Sequence, residues 1–232
     1  LLLTMGNMGR TESLSIIGPV GTERVVHSLR CIAASLPFEV RVSELTYEDE
    51  LMYFLDCDIR AFAVQHGMPC YGYSFSLPRN GKFDAARARE QAIPLEFWKR
   101  LQKGESIEHE GRTFTPDMVL GPARKGLKLT YCTDTRPTAA IAAAAADSDL
   151  FICEGMYGED ENLPKAKENK HMLFSEAATL ATQAGGVKEL WLTHYSPSLT
   201  RPEEYMDAVR SIFPNAKAGK DGMSAELSFP ET

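Results

Sequence analysis

No stretch of this 232-residue chain is long and apolar enough to cross a bilayer: its longest apolar run, Thr138–Ala146, is mostly alanine and far shorter than the roughly 20 residues a spanning helix needs. A secretory leader is missing too, because nothing pairs an apolar core with a small-residue cleavage site. Cysteine is scarce and badly spaced for cross-linking. Cys31, Cys57, Cys70, Cys132 and Cys153 are odd in number, far apart and without a C-x-x-C pair, which excludes a disulfide framework and a thiolate zinc cage. These absences predict a cytoplasmic protein with no membrane partner, its thiols reduced and mostly in the core. Positive charge is in deficit as well, with 25 Lys and Arg against 32 Asp and Glu, a net −7 that argues against DNA as a partner.

What is present is enough apolar material, 44% of residues, for one sizeable core, so residues 1–232 are expected to form a single α/β domain with an appendage. Charge is uneven along it. Arg79–Lys128 holds eleven Lys and Arg against seven acids, while the rest is strongly acidic. That stretch is either a solvated helical surface or a face for a polyanion.

The opening Leu1–Arg10 reads as the interior of a longer polypeptide. Leu14–Ile17 follows as a buried strand and Thr22 as the cap of a helix reaching about Ser35. Phe38–Leu45, Ile59–Val64 and Cys70–Leu77 alternate as strands, antiparallel or hairpin-linked. From Asn80 the period changes to helical over Asp84–Gln91 and Leu95–Lys103, with Gly104 and Gly111 bracketing a hairpin-like piece. This insertion, residues 81–111, is expected to have little core of its own. Beyond it, strands at Leu127–Thr133, Leu150–Cys153 and Glu189–Thr193 alternate with helices at Pro137–Ala146, His171–Ala184 and Pro202–Phe213, and Ala225–Phe229 is a last strand. Helices packed on sheets are the expected layering.

Several strands deliver a chemically competent side chain at their end: His66, Asp134, Glu154 and His194. The carboxyl ends of strands in α/β sheets face a common crevice, where imidazoles can hold a metal and a carboxylate can bridge two ions. Each residue has a plainer role open to it. Asp134 can cap a helix, His171 can cap or pack at a helix start, and lone histidines such as His66 and His194 are often structural. His27 and His109 lack any supporting context.

Four phrases together resemble the ribonuclease Z family of the metallo-β-lactamase superfamily. They are Gln65-His66-Gly67-Met68-Pro69-Cys70-Tyr71-Gly72-Tyr73, Leu129-Thr130-Tyr131-Cys132-Thr133-Asp134-Thr135-Arg136, His171-Met172, and Leu192-Thr193-His194-Tyr195-Ser196. They stand in the family's order and spacing, and the likeness runs from Leu1 to Gly222. The resemblance implies an αββα sandwich, incomplete at the N-terminus, with 81–111 as a protruding arm. It also implies a zinc-dependent endoribonuclease that removes 3′ trailers from precursor tRNA, leaving a tRNA 3′ hydroxyl and a 5′-phosphorylated trailer. His66 then matches a ligand of the first zinc, Asp134 the carboxylate bridging both zincs, His194 a ligand of the second, and His171 a non-ligand histidine near the scissile phosphate, either a proton donor to the leaving 3′ oxygen or a partner for the phosphate's charge. Glu154 would orient a histidine. Lys82, Arg87, Arg89, Lys99, Arg100 and Lys103 would meet tRNA phosphates, and Trp98 would either stack on RNA or anchor a core. A homodimer is implied, one subunit's arm serving the other.

The family's H-x-H-x-D-H loop is not in this sequence. With His66, Asp134 and His194 alone, two zinc ions would share three protein ligands where each needs three or four, so weak or single-site zinc binding and crippled catalysis are expected of these residues by themselves. Ser74, where the family often has arginine, puts a phosphate contact in question. Two other functions stay open: a related hydrolase of small esters or phosphodiesters, which needs no arm, and a non-catalytic RNA-binding subunit.

Overall fold

Strand direction decides what this chain can bring together. The computed structural model describes residues 1–33 and 35–230. In chain order its elements are α1 (Leu2–Asn7), β1 (Leu14–Pro19), α2 (Thr22–Leu29), β2 (Val40–Leu45), β3 (Asp49–Phe54), β4 (Cys57–Val64), β5 (Cys70–Arg79), α3 (Ala85–Glu90), α4 (Leu95–Gln102), β6 (Ile107–His109), β7 (Arg112–Phe114), β8 (Arg124–Cys132), α5 (Ala139–Ala145), β9 (Leu150–Glu154), α6 (Leu163–Asn169), α7 (Phe174–Ala184), β10 (Leu190–Thr193), α8 (Met206–Ile212) and β11 (Ala216–Ala218). The main sheet has the order β11-β10-β9-β8-β5-β4-β3. Since β5 is antiparallel to both β4 and β8, those two run the same way, and β9 and β10 continue parallel to β8. The ends of β4, β8, β9 and β10 therefore lie along one sheet edge.

One face of this sheet carries α5, α7 and α8. Alternation along the strands sends Cys132, Phe151, Cys153, Leu190 and Leu192 into that layer, where they meet Ile141, Phe174, Leu180 and Met206. Ala144, Ala145, Ala177, Ala178 and Ala181 are at most 2% exposed, and their small side chains let α5 and α7 approach closely. β1 and β2 pair separately as a parallel two-stranded sheet that touches β5 and carries α2. Helices, large sheet, small sheet and helix follow one another in the order of an αββα sandwich.

Several local expectations are corrected. β2 is parallel to β1 rather than hairpin-linked, and α2 ends at Leu29 with a 3-10 turn over Arg30–Ile32 instead of reaching Ser35. α1, β3 and α6 are elements that no sequence pattern announces. The final strand is Ala216–Ala218, and Ala225–Phe229 joins no strand. Thr138, not Asp134, caps α5, its Oγ1 accepting from the Ile141 N–H at 3.3 Å. α7 begins at Phe174, leaving His171 in the preceding loop, because the Glu176 carboxylate accepts the Leu173 N–H at 2.9 Å and starts the helix there. Two of the five cysteines, Cys132 and Cys153, are buried; Cys31 is exposed.

The insertion does have a core. Ala88, Ile93, Phe97, Leu101, Ile107, Phe114 and Val119 cluster apart from the main core, which corrects the expectation that it would have almost none. Its base closes through a Phe83–Leu120 bridge and a 2.9 Å bond from the Gly121 N–H to the Lys82 carbonyl. The backbones approach so closely that a Cβ on Gly81 would stand 2.0 Å from the Gly121 oxygen, so this position requires glycine. Trp98 packs against Phe83 and donates its indole N–H to the Ile93 carbonyl at 3.0 Å, so it serves this small core.

A candidate metal centre at the strand ends

Four polar residues reach the common edge from four strands: His66 after β4, Asp134 after β8, Glu154 at the end of β9 and His194 after β10. Asp134 and His194 both turn out of their strands in the left-handed region, with φ of 54° and 59°. Such backbone costs about 1–3 kcal/mol in a non-glycine residue and persists only where neighbours hold it. Here the neighbours do. The Thr135 N–H donates to the Glu154 carboxylate, the Gly155 N–H to the Thr193 carbonyl at 2.8 Å, and the Ser196 N–H to the Met156 carbonyl at 3.0 Å. Gly155 is needed for this close fit, since a Cβ there would meet the Phe174 ring at 2.8 Å.

Asp134 Oδ1 lies 2.6 Å from His194 Nε2 and 3.9 Å from His171 Nδ1. The His171 ring stands between the other two imidazoles, its centroid 5.1 Å from His66 and 5.3 Å from His194. Potential ligand atoms of His66, Asp134 and His171 all fall within 4.8 Å of one another. His66 Nδ1 faces the Lys170 carbonyl at 3.1 Å. A carbonyl only accepts, so that nitrogen carries the proton and Nε2 keeps its lone pair for a metal. Imidazole nitrogen with carboxylate oxygen is a donor set that zinc takes, and the cluster fits one such ion. Two ligands on a tetrahedral zinc stand about 3.3 Å apart, so seating an ion between Asp134 and His194 requires a small opening of their contact.

Behind the cluster, Glu154 is fully buried. Its carboxylate accepts the Met172 N–H at 3.0 Å and faces His171 Nδ1 at 3.2 Å. Burial pushes it up to about 7, against the pull of the Thr135 and Met172 N–H groups. Burial also pushes the His171 imidazole below its ordinary value, with Asp134 opposing and His66 adding to the shift. Burial thus favours the neutral form of both groups. Beside the cluster, a cleft of about 900 Å³ opens next to His194, with Trp191, Thr193 and Lys220 in its wall.

The six basic residues expected to meet RNA lie away from this edge. Lys82, Arg87, Arg89, Lys99, Arg100 and Lys103 are all exposed on the insertion, though Arg100 pairs with Glu105 at 2.8 Å and Arg89 lies over the Trp98 ring. Within residues 81–111 they are matched by six acids, so the positive excess sits at the insertion's base. Ser74 is buried under α5, bonded to Thr130 Oγ1 at 2.9 Å, so that position packs rather than faces a phosphate. Lys170 and Glu176 stand in no phrase of the sequence that points to them, and Thr135 and Arg136 only close the phrase that begins at Leu129. The available signal was a Glu three residues after Leu173, a capping pattern.

No protein-family model matches the chain. The protein named Ribonuclease Z from Lachnoclostridium phytofermentans is 59% identical over 229 residues, covering 99% of this chain and 75% of that protein. The one of the same name from Agathobacter rectalis is 58% identical over 231 residues, covering all of this chain and 76% of its own length. Among solved structures, human tRNase Z, short form, superposes with a TM-score of 0.63 at 18% identity, covering 98% of this chain and 72% of that one. The metallo-β-lactamase fold protein YhfI from Bacillus subtilis gives 0.61 at 15% identity, covering 95% and 67%.

Proposed function

The chain belongs to the ribonuclease Z family, a family of metal-using phosphodiesterases with the metallo-β-lactamase fold, and we propose that it serves as a zinc-dependent endoribonuclease that removes the 3′ trailer of precursor tRNA. The observation that carries this reading is the convergence of His66, Asp134, His171 and His194 at one sheet edge in a chain 59% identical to a Ribonuclease Z. His66, Asp134 and His194 would hold the metal, with Asp134 placed to bridge if a second zinc binds. A bound zinc supplies Lewis acidity for the phosphate and lowers the pKa of a water.

The chain's own part is proton handling. With Nδ1 of His171 facing Glu154, Nε2 is the nitrogen left to face the leaving 3′ oxygen of the tRNA. A proton passed from Glu154 Oε2 to Nδ1 as Nε2 gives up its own would keep the imidazole neutral through the step. The products are a tRNA 3′ hydroxyl and a 5′-phosphorylated trailer.

The insertion's exposed Lys82, Arg87, Arg89, Lys99, Arg100 and Lys103 would contact tRNA phosphates without reading bases. The reading extends to a homodimer in the cytoplasm, checked by light scattering on the purified protein. The decisive experiment incubates the protein with 3′-extended tRNA, with added zinc and with a chelator. Zinc-dependent release of an intact trailer with a 5′ phosphate supports the reading. Binding without cleavage at any zinc concentration would favour a non-catalytic RNA-binding role for these residues.

A second reading has a specific observation behind it, the compact His66, Asp134 and His171 trio, which would make His171 a ligand instead of a proton donor. His171→Ala separates them: zinc affinity within threefold of the parent fits the donor, and a loss of at least about tenfold fits the ligand.

A further inference from the structure

One arginine stands in one of the loops that form the site and is bonded to two others. Arg136 follows Asp134 closely, and its backbone N–H donates to the Gln65 carbonyl at 2.9 Å, next to His66. Its Nη1 donates to the His171 carbonyl at 2.5 Å and to Glu176 Oε2 at 2.8 Å, and Nη2 completes the fork on Oε1. Glu176 in turn accepts the Leu173 N–H at 2.9 Å. Both side chains are largely covered, 14% and 21% exposed. Thr135 adds a parallel tie, its Oγ1 accepting the Gln65 N–H at 3.0 Å.

We infer that the Arg136–Glu176 pair is the positioning element that holds the Asp134 and His171 loops at their mutual spacing. The argument rests on geometry. β4 and β8 bring the His66 and Asp134 loops to one edge and the Gln65–Arg136 bridge joins them, but His171 arrives on the loop between α6 and α7, and no ladder bond of the sheet sets its distance from them. Arg136 does so with donors in a planar fork, which a lysine ammonium cannot reproduce. Removing either partner leaves a covered charge without its counter-ion, and removing Arg136 also frees the His171 carbonyl. Outer partners of this kind typically change metal affinity by about 10–100-fold. The metal part of this inference rests on the zinc reading above; the loop spacing does not.

The test uses Arg136→Met, Arg136→Lys and the isosteric Glu176→Gln in the chain as given, with Asp134→Asn as control. In metal-free protein, hydrogen exchange at residues 170–174 is expected to quicken at least tenfold in Arg136→Met and Glu176→Gln, with the central strands unchanged. Arg136→Lys is expected to restore little of it. Zinc affinity, read by competition with a chromophoric chelator, is expected to fall about 10–100-fold in the same variants. Unchanged exchange at residues 170–174, exchange raised uniformly through the sheet, or full rescue by Arg136→Lys would overturn the inference. Should Asp134→Asn leave zinc uptake unaltered, the zinc reading fails, and the exchange measurement still decides the positioning role.

Discussion

Nε2 of His194 lies 2.6 Å from Oδ1 of Asp134, and both residues leave their strands through the left-handed region. A contact this short between an imidazole and a carboxylate, made twice over by strained backbone, is a site organised before any ligand arrives. Asp134→Ala and His194→Ala are each expected to reduce Co²⁺ or Zn²⁺ affinity by at least about tenfold, with little loss of folded structure. Absorption of the cobalt-loaded protein in the visible range, titrated for parent and variants, checks this. Equal affinities in all three would remove both residues from the ligand set.

Glu154 makes stability depend on pH in a definite direction. Its folded value of about 7 is above the ordinary carboxylate value, so its contribution is fully present below about 4.5 and is lost as pH rises through 7. For the metal-free protein the loss between pH 4.5 and 7.5 is expected to be of order 3 kcal/mol at most. Glu154→Gln should flatten that decline. Urea unfolding at pH 5 and pH 8, in chelator, measures it; parallel declines in parent and variant would refute the assignment.

The insertion melts as its own unit if its core is as separate as the contacts indicate. Leu101 is fully buried among Ile93, Phe97 and Phe114 and shares nothing with the main core. Leu101→Ala is expected to cost about 2–5 kcal/mol locally and to expose residues 82–120 to protease, while the main transition moves by no more than a few degrees. Limited proteolysis beside a thermal melt distinguishes this from a shared core, where both would shift together.

The α5–α7 contact should tolerate no extra volume. Ala178 of α7 is completely buried in the main core, and Ala178→Leu is expected to destabilise the fold by about 1–3 kcal/mol. Chemical denaturation reads this directly; a neutral result would mean the helices are farther apart than their alanines suggest.

RNA binding should depend on the exposed cations of the insertion. Replacing Arg87, Lys99 and Lys103 together with alanine is expected to weaken binding of 3′-extended tRNA and to lower the slope of log affinity against log salt by up to about 2. Filter binding over a salt series provides the slope. An unchanged slope would place the tRNA elsewhere.

Local pattern was enough to read β1, β4, β5, β8, β9 and β10 and most helices, because each has a clear apolar period and a turn residue at its end. It failed where period is absent. β3 begins with two acids and continues with four apolar residues, most of them exposed on an edge strand, so alternation never appears. β11 is three residues with a lysine at its centre, and only its parallel pairing to β10 makes it a strand. The insertion's core draws one or two apolar residues from each of α3, α4, β6 and β7 and adds Ile93 and Val119 from connecting segments, so no single element's period announces it.

The sequence by itself determined the family, through four ordered phrases, and it marked His66, Asp134, Glu154, His171 and His194 as the residues with chemistry to offer. Only the tertiary structure decided that they meet, because residues separated by up to 128 positions share an edge through the relative direction of β4, β8, β9 and β10. It also decided their states. The proton on His66 Nδ1 depends on a carbonyl 104 residues away, the raised pKa of Glu154 on complete burial, and the spacing of the loops on Arg136 and Glu176, 40 residues apart. Protonation and distance are set by the low-dielectric surroundings and by long-range hydrogen bonds, and neither exists until the strands have paired.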